Sequence, residues 1–309
     1  MKKAVYFFCK DLERDPVAFR IFDVSTKFLN LKETDILIDD CKVLYYEDDE
    51  NNLFYYVRTN EVLSHDYATY LPVLNQHFDD FDFAGLVNWH AGQNAPEGVL
   101  SVHTTGDVPS VSFGNADPVC MRNLLLTIES NRKELMLDDF STVTEATHWS
   151  GVPYNGDVKL IPQFRVPLVD IEIGSSMVSW SNGKAAEAIA RALPHVFDDR
   201  GPAKSILCVG GIHFESSFYN ALFIGEIPVS ITHVIANQWI SCGEYEGEKG
   251  VQSLDACVKT IKGGVDAIFF HDNLKGAYKQ VCRELAAKLG IPAYKHQILR
   301  KLDNSIFTL

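Results

Sequence analysis

Short apolar runs that alternate with helical segments constrain the fold of this 309-residue chain more than any other feature. An apolar run from Ser205 to Val209 ends in Gly210-Gly211, and residues 265–270, 274–289 and 291–294 have the patterns of a strand, a helix and a strand. A strand followed by a crossover helix and a second strand is typical of a parallel sheet. We therefore expect parallel crossover units in the carboxyl-terminal third.

Strand patterns also fill the first two thirds of the chain. Within the first sixty residues, apolar runs between polar breaks predict a small strand-rich unit with one helix after Pro16. Asn182 is the expected N-cap of a helix over residues 183–193. Further β-rich stretches cover residues 81–90, 99–105, 140–148 and 168–173.

These patterns give the fold class α/β and suggest two folding units. A loop over residues 240–250, rich in Gly and Glu, separates the middle of the chain from its last part. We predict a core domain of residues 61–245 and a smaller α/β subdomain made of residues 1–60 with 246–309.

Composition and the arrangement of apolar residues predict where in the cell the protein is located. The longest apolar runs are far shorter than the ~20 residues that a bilayer requires, so no membrane contact is expected. The first residues lack the features of a signal peptide, and the seven cysteines include no C-x-x-C pair, which is typical of reduced thiols. We expect a cytoplasmic protein, and the sequence leaves open whether it is a monomer or a dimer.

Five of the ten histidines lie at or just after the ends of predicted strands, where α/β proteins collect their sites. Neutral imidazole is a common metal ligand and general base. The other five, at positions 65, 77, 195, 271 and 296, have contexts that suggest no function. The five candidates are His90, His103, His148, His213 and His233.

Three carboxylates accompany these histidines. Glu145 lies three residues before His148, and Asp170 and Glu172 alternate with apolar residues in a predicted strand. A carboxylate in such a strand needs a partner or a metal if it is buried, and a solvated outer face is the alternative for Asp170. Glu172 is the stronger candidate, because Gly174-Ser175 follows it and lets the backbone approach a ligand.

The chain lacks the sequence motifs of several other classes of enzyme. The Gly210-Gly211-Ile212-His213 segment is neither a G-x-G-x-x-G nor a Walker loop, and the chain contains no G-x-S-x-G or H-E-x-x-H motif.

Four segments together resemble the archaeal and plant-type D-aminoacyl-tRNA deacylase family, in the same order along the chain. The resemblance runs from about Phe81 to His233, with a looser fit beyond. The four segments are Ser101-Val102-His103-Thr104-Thr105-Gly106-Asp107, Thr144-Glu145-Ala146-Thr147-His148, Glu172-Ile173-Gly174-Ser175 and Gly210-Gly211-Ile212-His213-Phe214.

This resemblance implies a fold similar to the phosphorylase/peptidyl-tRNA hydrolase group, a mixed sheet with flanking helices. It also implies a zinc-dependent hydrolase that cleaves the ester between a D-amino acid and the 3′ ribose of tRNA. On this basis the metal ligands are His148, His213 and His103, and the catalytic residues are His103, Glu145, Glu172 and His213. The substrate-binding residues are His90, Gly174, Ser175, Gly210, Gly211 and His233.

The departures from the family pattern all make the region around the site less positively charged. Trp89, Ser217 and Gln238 stand where the family pattern has basic residues, and Glu215 adds a negative charge near His213. The net charge of −13 also opposes binding to a polyanion. A tRNA partner therefore requires a local basic patch. The candidates at the mouth of the site are Lys159, Arg165, Lys184, Arg191 and Lys204.

The sequence leaves three hypotheses open. The first is the family activity on D-aminoacyl-tRNA. The second is a diverged metal-dependent hydrolase of a small ester or amide, with Trp89, Trp149 and Trp239 lining an apolar pocket. The third is a non-catalytic homologue that has lost the metal.

Overall fold

The computed structural model describes residues 1–92, 95–224 and 227–307. In these ranges the strands are β1 (Lys3–Cys9), β2 (Lys32–Ile38), β3 (Cys41–Glu47), β4 (Leu53–Thr59), β5 (Phe83–His90), β6 (Gly98–Thr104), β7 (Gly106–Asp107), β8 (Ser112–Phe113), β9 (Ser141–Thr144), β10 (Leu168–Ser175), β11 (Lys204–Val209), β12 (Val229–Ile235), β13 (Ala267–Phe270) and β14 (Ala293–Lys295). The helices are α1 (Pro16–Phe28), α2 (Tyr67–His77), α3 (Pro118–Glu134), α4 (Met177–Trp180), α5 (Gly183–Ala192), α6 (Ser216–Tyr219), α7 (Asn237–Ile240), α8 (Gly247–Lys259) and α9 (Gly276–Leu289).

Two sheets organise the molecule. The larger sheet has the strand order β2-β3-β4-β1-β5-β10-β6-β9, and the smaller one has the order β12-β11-β13-β14. In the larger sheet β4, β1, β5 and β10 are parallel, whereas β6 runs antiparallel to β10. The predicted α/β class, with a mixed sheet and flanking helices, is confirmed.

The strands group differently from the predicted domains. Strands from residues 1–60 lie in the larger sheet beside β5, whereas all four strands of the smaller sheet fall between residues 204 and 295. The smaller sheet is wholly parallel, as the crossover pattern predicted. The proposed loop over residues 240–250 is shorter than predicted, because α8 begins at Gly247.

Both faces of the larger sheet are covered, which explains its long apolar strands. Helices α1, α3 and α5 pack on one face, together with Val169, Ile171 and Ile173 of β10. Helix α2 covers part of the other face, against Val5, Phe7 and neighbouring side chains. The part of this second face beside α2 carries polar side chains, and the candidate site lies there.

Side-chain caps fix where three of these helices begin. Asn182 Oδ1 accepts from the backbone N–H groups of Lys184 and Ala185, so the predicted cap of α5 is confirmed. Asp15 and Asp117 cap α1 and α3 in the same manner. The carboxylates differ in their second oxygen, because Asp117 Oδ2 receives Lys262 at 2.8 Å whereas the buried Asp15 Oδ2 has no hydrogen-bond partner in the part of the chain that the structure describes.

This difference predicts a pH-dependent penalty at Asp15. Burial raises the pKa of Asp15 from 3.8 to about 7. A carboxyl group whose pKa is raised by folding favours the folded state when protonated, so the free energy of unfolding falls as pH rises from 3.8 to about 7. We expect Asp15→Asn to keep the cap and to become more stable than wild type over this window, by up to about 4 kcal/mol.

Urea unfolding at several pH values measures this effect. The matched control is Asp117→Asn, which removes a paired carboxylate and is expected to lose stability at neutral pH. An Asp15→Asn protein whose stability relative to wild type is the same at pH 4 and pH 8 would contradict the prediction.

No helix in the described ranges is both long enough and apolar enough to cross a bilayer.

Candidate active site

Polar side chains of three adjacent strands face the same side of the larger sheet. In the register of β10 and β6, Asp170 lies opposite His103 and Glu172 lies opposite Ser101. Asn88 of β5 lies beside Glu172 and donates to Asp170 Oδ1 at 2.8 Å. Because residues two apart in a strand share a face, the alternation in β10 turns Asp170 and Glu172 away from the apolar layer of Ile171.

Glu145 is the centre of the cluster. It follows β9 directly and is fully buried. Its Oε2 lies 2.5 Å from His213 Nε2 and 3.4 Å from His90 Nε2. Its Oε1 accepts a hydrogen bond from Ser101. One carboxylate therefore joins the larger sheet to the loop that follows β11 of the smaller sheet.

His103 and His148 form a second layer beside Glu145. Their rings stack with centroids 3.9 Å apart. His103 Nε2 lies 3.7 Å from Asp170 Oδ2 and 3.8 Å from Glu172 Oε1. His148 Nδ1 is 2.9 Å from the carbonyl oxygen of Ala146, which fixes its ring. Four of the five predicted histidines thus converge on three buried carboxylates.

The strand-end argument identified these residues, although they do not meet at a sheet edge. Since β6 is antiparallel to β5 and β10, the ends of these strands lie at opposite edges. The side chains converge over the face of the sheet instead.

The cluster changes the acidity of its members. Burial alone would raise the pKa of Glu145, but the hydrogen bond with His213 and the electrostatic interaction with the nearby histidines hold it below its ordinary value. Burial would lower the pKa of His103, but the three carboxylates raise it to about 10. Burial lowers the pKa of His148 and of His90, so both imidazoles are neutral at neutral pH.

Glu172 differs from Glu145. Burial raises its pKa to about 8, an effect that the nearby His103 opposes. Two adjacent carboxyl groups thus have pKa values on opposite sides of neutrality, which is common in active sites.

A cavity of about 820 Å³ opens above the cluster. His90, His148, His213 and Glu172 line it, whereas Glu145 and His103 lie beneath its floor. This volume is within the usual range for small-ligand sites.

Two groups of side chains have the donor atoms and spacing of a metal site. The first comprises His90, Glu145 and His213, and the second comprises His103, Glu145 and His148. In each group the ligating atoms lie within 4.8 Å of one another. Two nitrogens and a carboxylate oxygen suit zinc.

Two buried polar atoms of the cluster are unpaired. Among the described residues, His103 Nε2 and Glu172 Oε2 are buried without a hydrogen-bond partner. Buried polar atoms in native proteins are nearly always paired, so these two atoms have unused capacity for a ligand. The first group therefore fits a bound cation as it stands, whereas in the second group His103 must first release the proton that the carboxylates hold.

Of the glycine and serine residues predicted to bind substrate, two lie against His90 and two lie away from the cavity. A Cβ on Gly174 would lie 2.7 Å from His90 Cβ, so glycine lets that histidine pack, and Ser175 Oγ lies 2.8 Å from His90 Nδ1. Gly210 and Gly211 turn the chain after β11 with positive φ and do not line the cavity.

His233 lies outside the cavity. Its Nδ1 is 2.9 Å from Thr104 Oγ1 and its Nε2 is 3.1 Å from Thr260 Oγ1. Burial lowers its pKa to about 3, so the neutral ring joins β12 to the larger sheet through hydroxyl groups.

The sequence missed part of the site. Asp170 is fully buried, which decides against the solvated alternative. His65 and Tyr154 line the cavity and stack with centroids 3.5 Å apart, although neither lies in a motif. Glu215 lies two residues after His213, and its carboxylate accepts from the backbone N–H and the hydroxyl of Ser217 at the start of α6.

These features are those of an α/β enzyme with a histidine and carboxylate centre beneath a cavity. The chain belongs to the D-aminoacyl-tRNA deacylase family, whose model matches residues 77–294. The resemblance seen in the sequence is thereby confirmed.

Relatives carrying the name D-aminoacyl-tRNA deacylase occur in several archaea. The Pyrococcus furiosus protein is 26% identical over 204 residues, which cover 63% of this chain and 67% of the relative. The Pyrococcus abyssi protein is 24% identical over 291 residues and covers 91% of this chain and 96% of the relative. The match to the Haloarcula marismortui protein spans only 35% of that relative.

A solved structure has the same fold. It is described as a conserved protein of unknown function, AF0625, and superposes with a TM-score of 0.73 at 21% identity. The superposition covers 97% of this chain and 96% of the other.

Proposed function

We propose that this protein hydrolyses the ester of D-aminoacyl-tRNA and releases the free D-amino acid and tRNA. The observation that carries the proposal is the convergence of His90, His148 and His213 on the buried Glu145 beneath an open cavity. Family membership supports the substrate, because the relatives in the comparison carry the name D-aminoacyl-tRNA deacylase.

We further propose zinc as the cofactor. Either His90, Glu145 and His213 or His103, Glu145 and His148 would hold it, and the two groups share Glu145. A bound zinc ion would lower the pKa of its water to ~7 and polarise the ester carbonyl.

The His213 and Glu145 pair is suited to moving protons. The Glu145 carboxylate fixes the His213 ring at 2.5 Å, and His213 reaches the cavity surface. In ester hydrolysis a water oxygen bonds to the carbonyl carbon, the bond to the ribose oxygen breaks, and a proton must pass from the water to that oxygen. An imidazole held by a carboxylate can accept the first proton and donate the second.

His90 and Glu172 would position the reacting groups. Ser175 and Glu145 hold His90 from two sides, so its ring is fixed at the cavity wall. Glu172 lies on the same wall and can hydrogen-bond to the substrate near the ester. Burial of Glu145 beneath this layer limits its access to bulk water and strengthens its interaction with the histidines.

The proposal is tested by incubating D-Tyr-tRNA with zinc-replete protein and separating the products. We expect free D-tyrosine and intact tRNA, and loss of release after chelation with recovery when zinc is added back. Intact D-Tyr-tRNA after incubation with protein that retains bound zinc would contradict the proposed activity. Release that is insensitive to chelation, from protein without zinc, would contradict only the cofactor.

A further inference from the structure

Exposed and half-exposed cations lie close together at the carboxyl ends of β13 and β14. These two strands are parallel, so their carboxyl ends lie at one edge of the smaller sheet. Lys295 ends β14, and Lys275 precedes the first residue of α9. We call this surface the basic edge, and it comprises Lys275, Lys279, Lys295, Arg300 and Lys301.

The local charge opposes that of the whole protein. Residues 271–303 contain seven Lys and Arg against three Asp and Glu, a net charge of +4 in a chain of net charge −13. Within the described ranges, Lys275, Arg300 and Lys301 form no ion pair with a carboxylate. Lys295 faces Asp272 at 3.4 Å, and Lys279 donates to the carbonyl oxygen of that residue.

Two of the five basic residues expected at the mouth of the site lie elsewhere. Lys204 begins β11 and pairs with Asp266 at 3.0 Å, so it lies at the edge of the smaller sheet opposite His213. Arg191 pairs with Glu134 at 3.0 Å, and it lines a different cavity. Both positions are therefore wrong for a patch at the mouth of the site.

A continuous set of contacts joins the active-site cluster to the basic edge. Glu215 follows His213 by two residues, and its Oε2 lies 3.6 Å from His271 Nε2. The rings of His271 and His296 stack with centroids 3.9 Å apart, and His296 directly follows Lys295. These contacts place His213 and the basic edge at the same side of the smaller sheet.

The distance from β11, which precedes His213, to β14 matches the length of a few stacked nucleotides. β14 lies two strands beyond β11, which corresponds to ~10 Å at the usual strand spacing. Stacked nucleotides advance ~3.4 Å along one strand, so about three of them cover that distance. A strand whose terminal ester reaches His213 can therefore place its preceding phosphates over the basic edge.

We infer that the basic edge binds the backbone phosphates of the tRNA acceptor end while its terminal ester occupies the cavity. This inference rests on the proposed function and adds the surface by which the substrate is held. It also explains how an acidic chain with Trp89 and Gln238 lining its cavity can bind a polyanion, because the phosphate contacts lie outside the cavity.

The test compares two variants of equal net charge. The edge variant carries Lys275→Ala, Lys295→Ala, Arg300→Ala and Lys301→Ala. The control variant carries Lys27→Ala, Lys32→Ala, Lys42→Ala and Lys133→Ala, four exposed positions distributed over other elements. Binding of uncharged tRNA is measured by fluorescence anisotropy over a range of salt concentrations, and thermal melting verifies the fold.

We expect the edge variant to bind tRNA about 10- to 100-fold more weakly than wild type at low salt. The slope of log affinity against log salt should fall by roughly 3, since each lost phosphate contact on a single strand contributes about 0.7. At saturating D-Tyr-tRNA, kcat should be unchanged, and the control variant should match wild type in binding.

Two outcomes overturn the inference and are distinguishable. If wild type deacylates D-Tyr-tRNA and the edge variant binds tRNA as tightly as the control, the phosphates lie elsewhere and the proposed function stands. If wild type neither binds tRNA at low salt nor deacylates D-Tyr-tRNA, the proposed function fails together with the inference.

Discussion

Glu145→Gln is expected to lower kcat for deacylation by roughly 10³-fold while leaving the fold intact. Glutamine keeps the shape of the side chain and can still accept from Ser101. It removes the negative charge that His213 and His90 share at 2.5 Å and 3.4 Å. Because both candidate metal groups contain Glu145, the affinity for zinc should fall as well.

The measurement is single-turnover deacylation with parallel determination of bound zinc. Ser101→Ala is the graded control, since it removes one hydrogen-bond donor to Glu145 and keeps the carboxylate. We expect the deacylation rate of that variant to fall roughly ten-fold. A Glu145→Gln protein with wild-type kcat would show that hydrolysis occurs elsewhere in the molecule.

His103→Leu is expected to destabilise the metal-free protein by about 3–5 kcal/mol. His103 is fully buried within 4 Å of Asp170 and Glu172, and its side chain is the positive partner of both carboxylates. Leucine fills a similar volume but leaves both carboxyl groups buried without their positive partner, so each must be protonated in the folded state. Urea unfolding with chelator present measures the loss.

A rescue variant separates charge from packing. Adding Asp170→Asn and Glu172→Gln to His103→Leu replaces the two buried carboxyl groups by neutral amides and should restore at least half of the lost stability. His195→Leu, at an exposed position, is the control and should change stability by less than about 0.5 kcal/mol. Failure of the two amide substitutions to recover any stability would assign the loss to packing.

Local patterns predicted much of the fold because the determining interactions are local. The alternation in β10 separated Ile171 from Glu172, and the side chain of Asn182 identified the start of α5. Both signals depend on backbone geometry within a few residues. Strand pairing was not readable in this way, so the position of residues 1–60 within the larger sheet emerged only from the structure.

In the active site, too, residues with a local sequence signal were predicted, whereas contacts between distant segments were not. His90, His148 and His213 were identified from their positions after strands, and they meet at Glu145. The burial of Asp170 depends on Asn88 from a strand 82 residues earlier, which no local pattern reveals. His233 shared the sequence context of the other histidines, yet it pairs with threonine hydroxyls outside the cavity.

The cavity wall was the least predictable part. His65 belongs to a short 3₁₀ segment, Leu63–Asp66, and stacks on Tyr154 from a second 3₁₀ segment, Val152–Tyr154, almost ninety positions later. Such a contact leaves no periodic or motif signal in either segment. The basic edge was missed for a related reason, since its cations gather only through the parallel pairing of β13 and β14.

The decisive measurement is deacylation of D-Tyr-tRNA and L-Tyr-tRNA, compared side by side for zinc-replete wild type and its His148→Ala variant. We predict rapid release from the D-substrate, slow release from the L-substrate, and loss of the D-selective release in the variant. Equal rates on both substrates, or a variant as active as wild type, would contradict the assignment of D-aminoacyl-tRNA hydrolysis to this histidine and carboxylate centre.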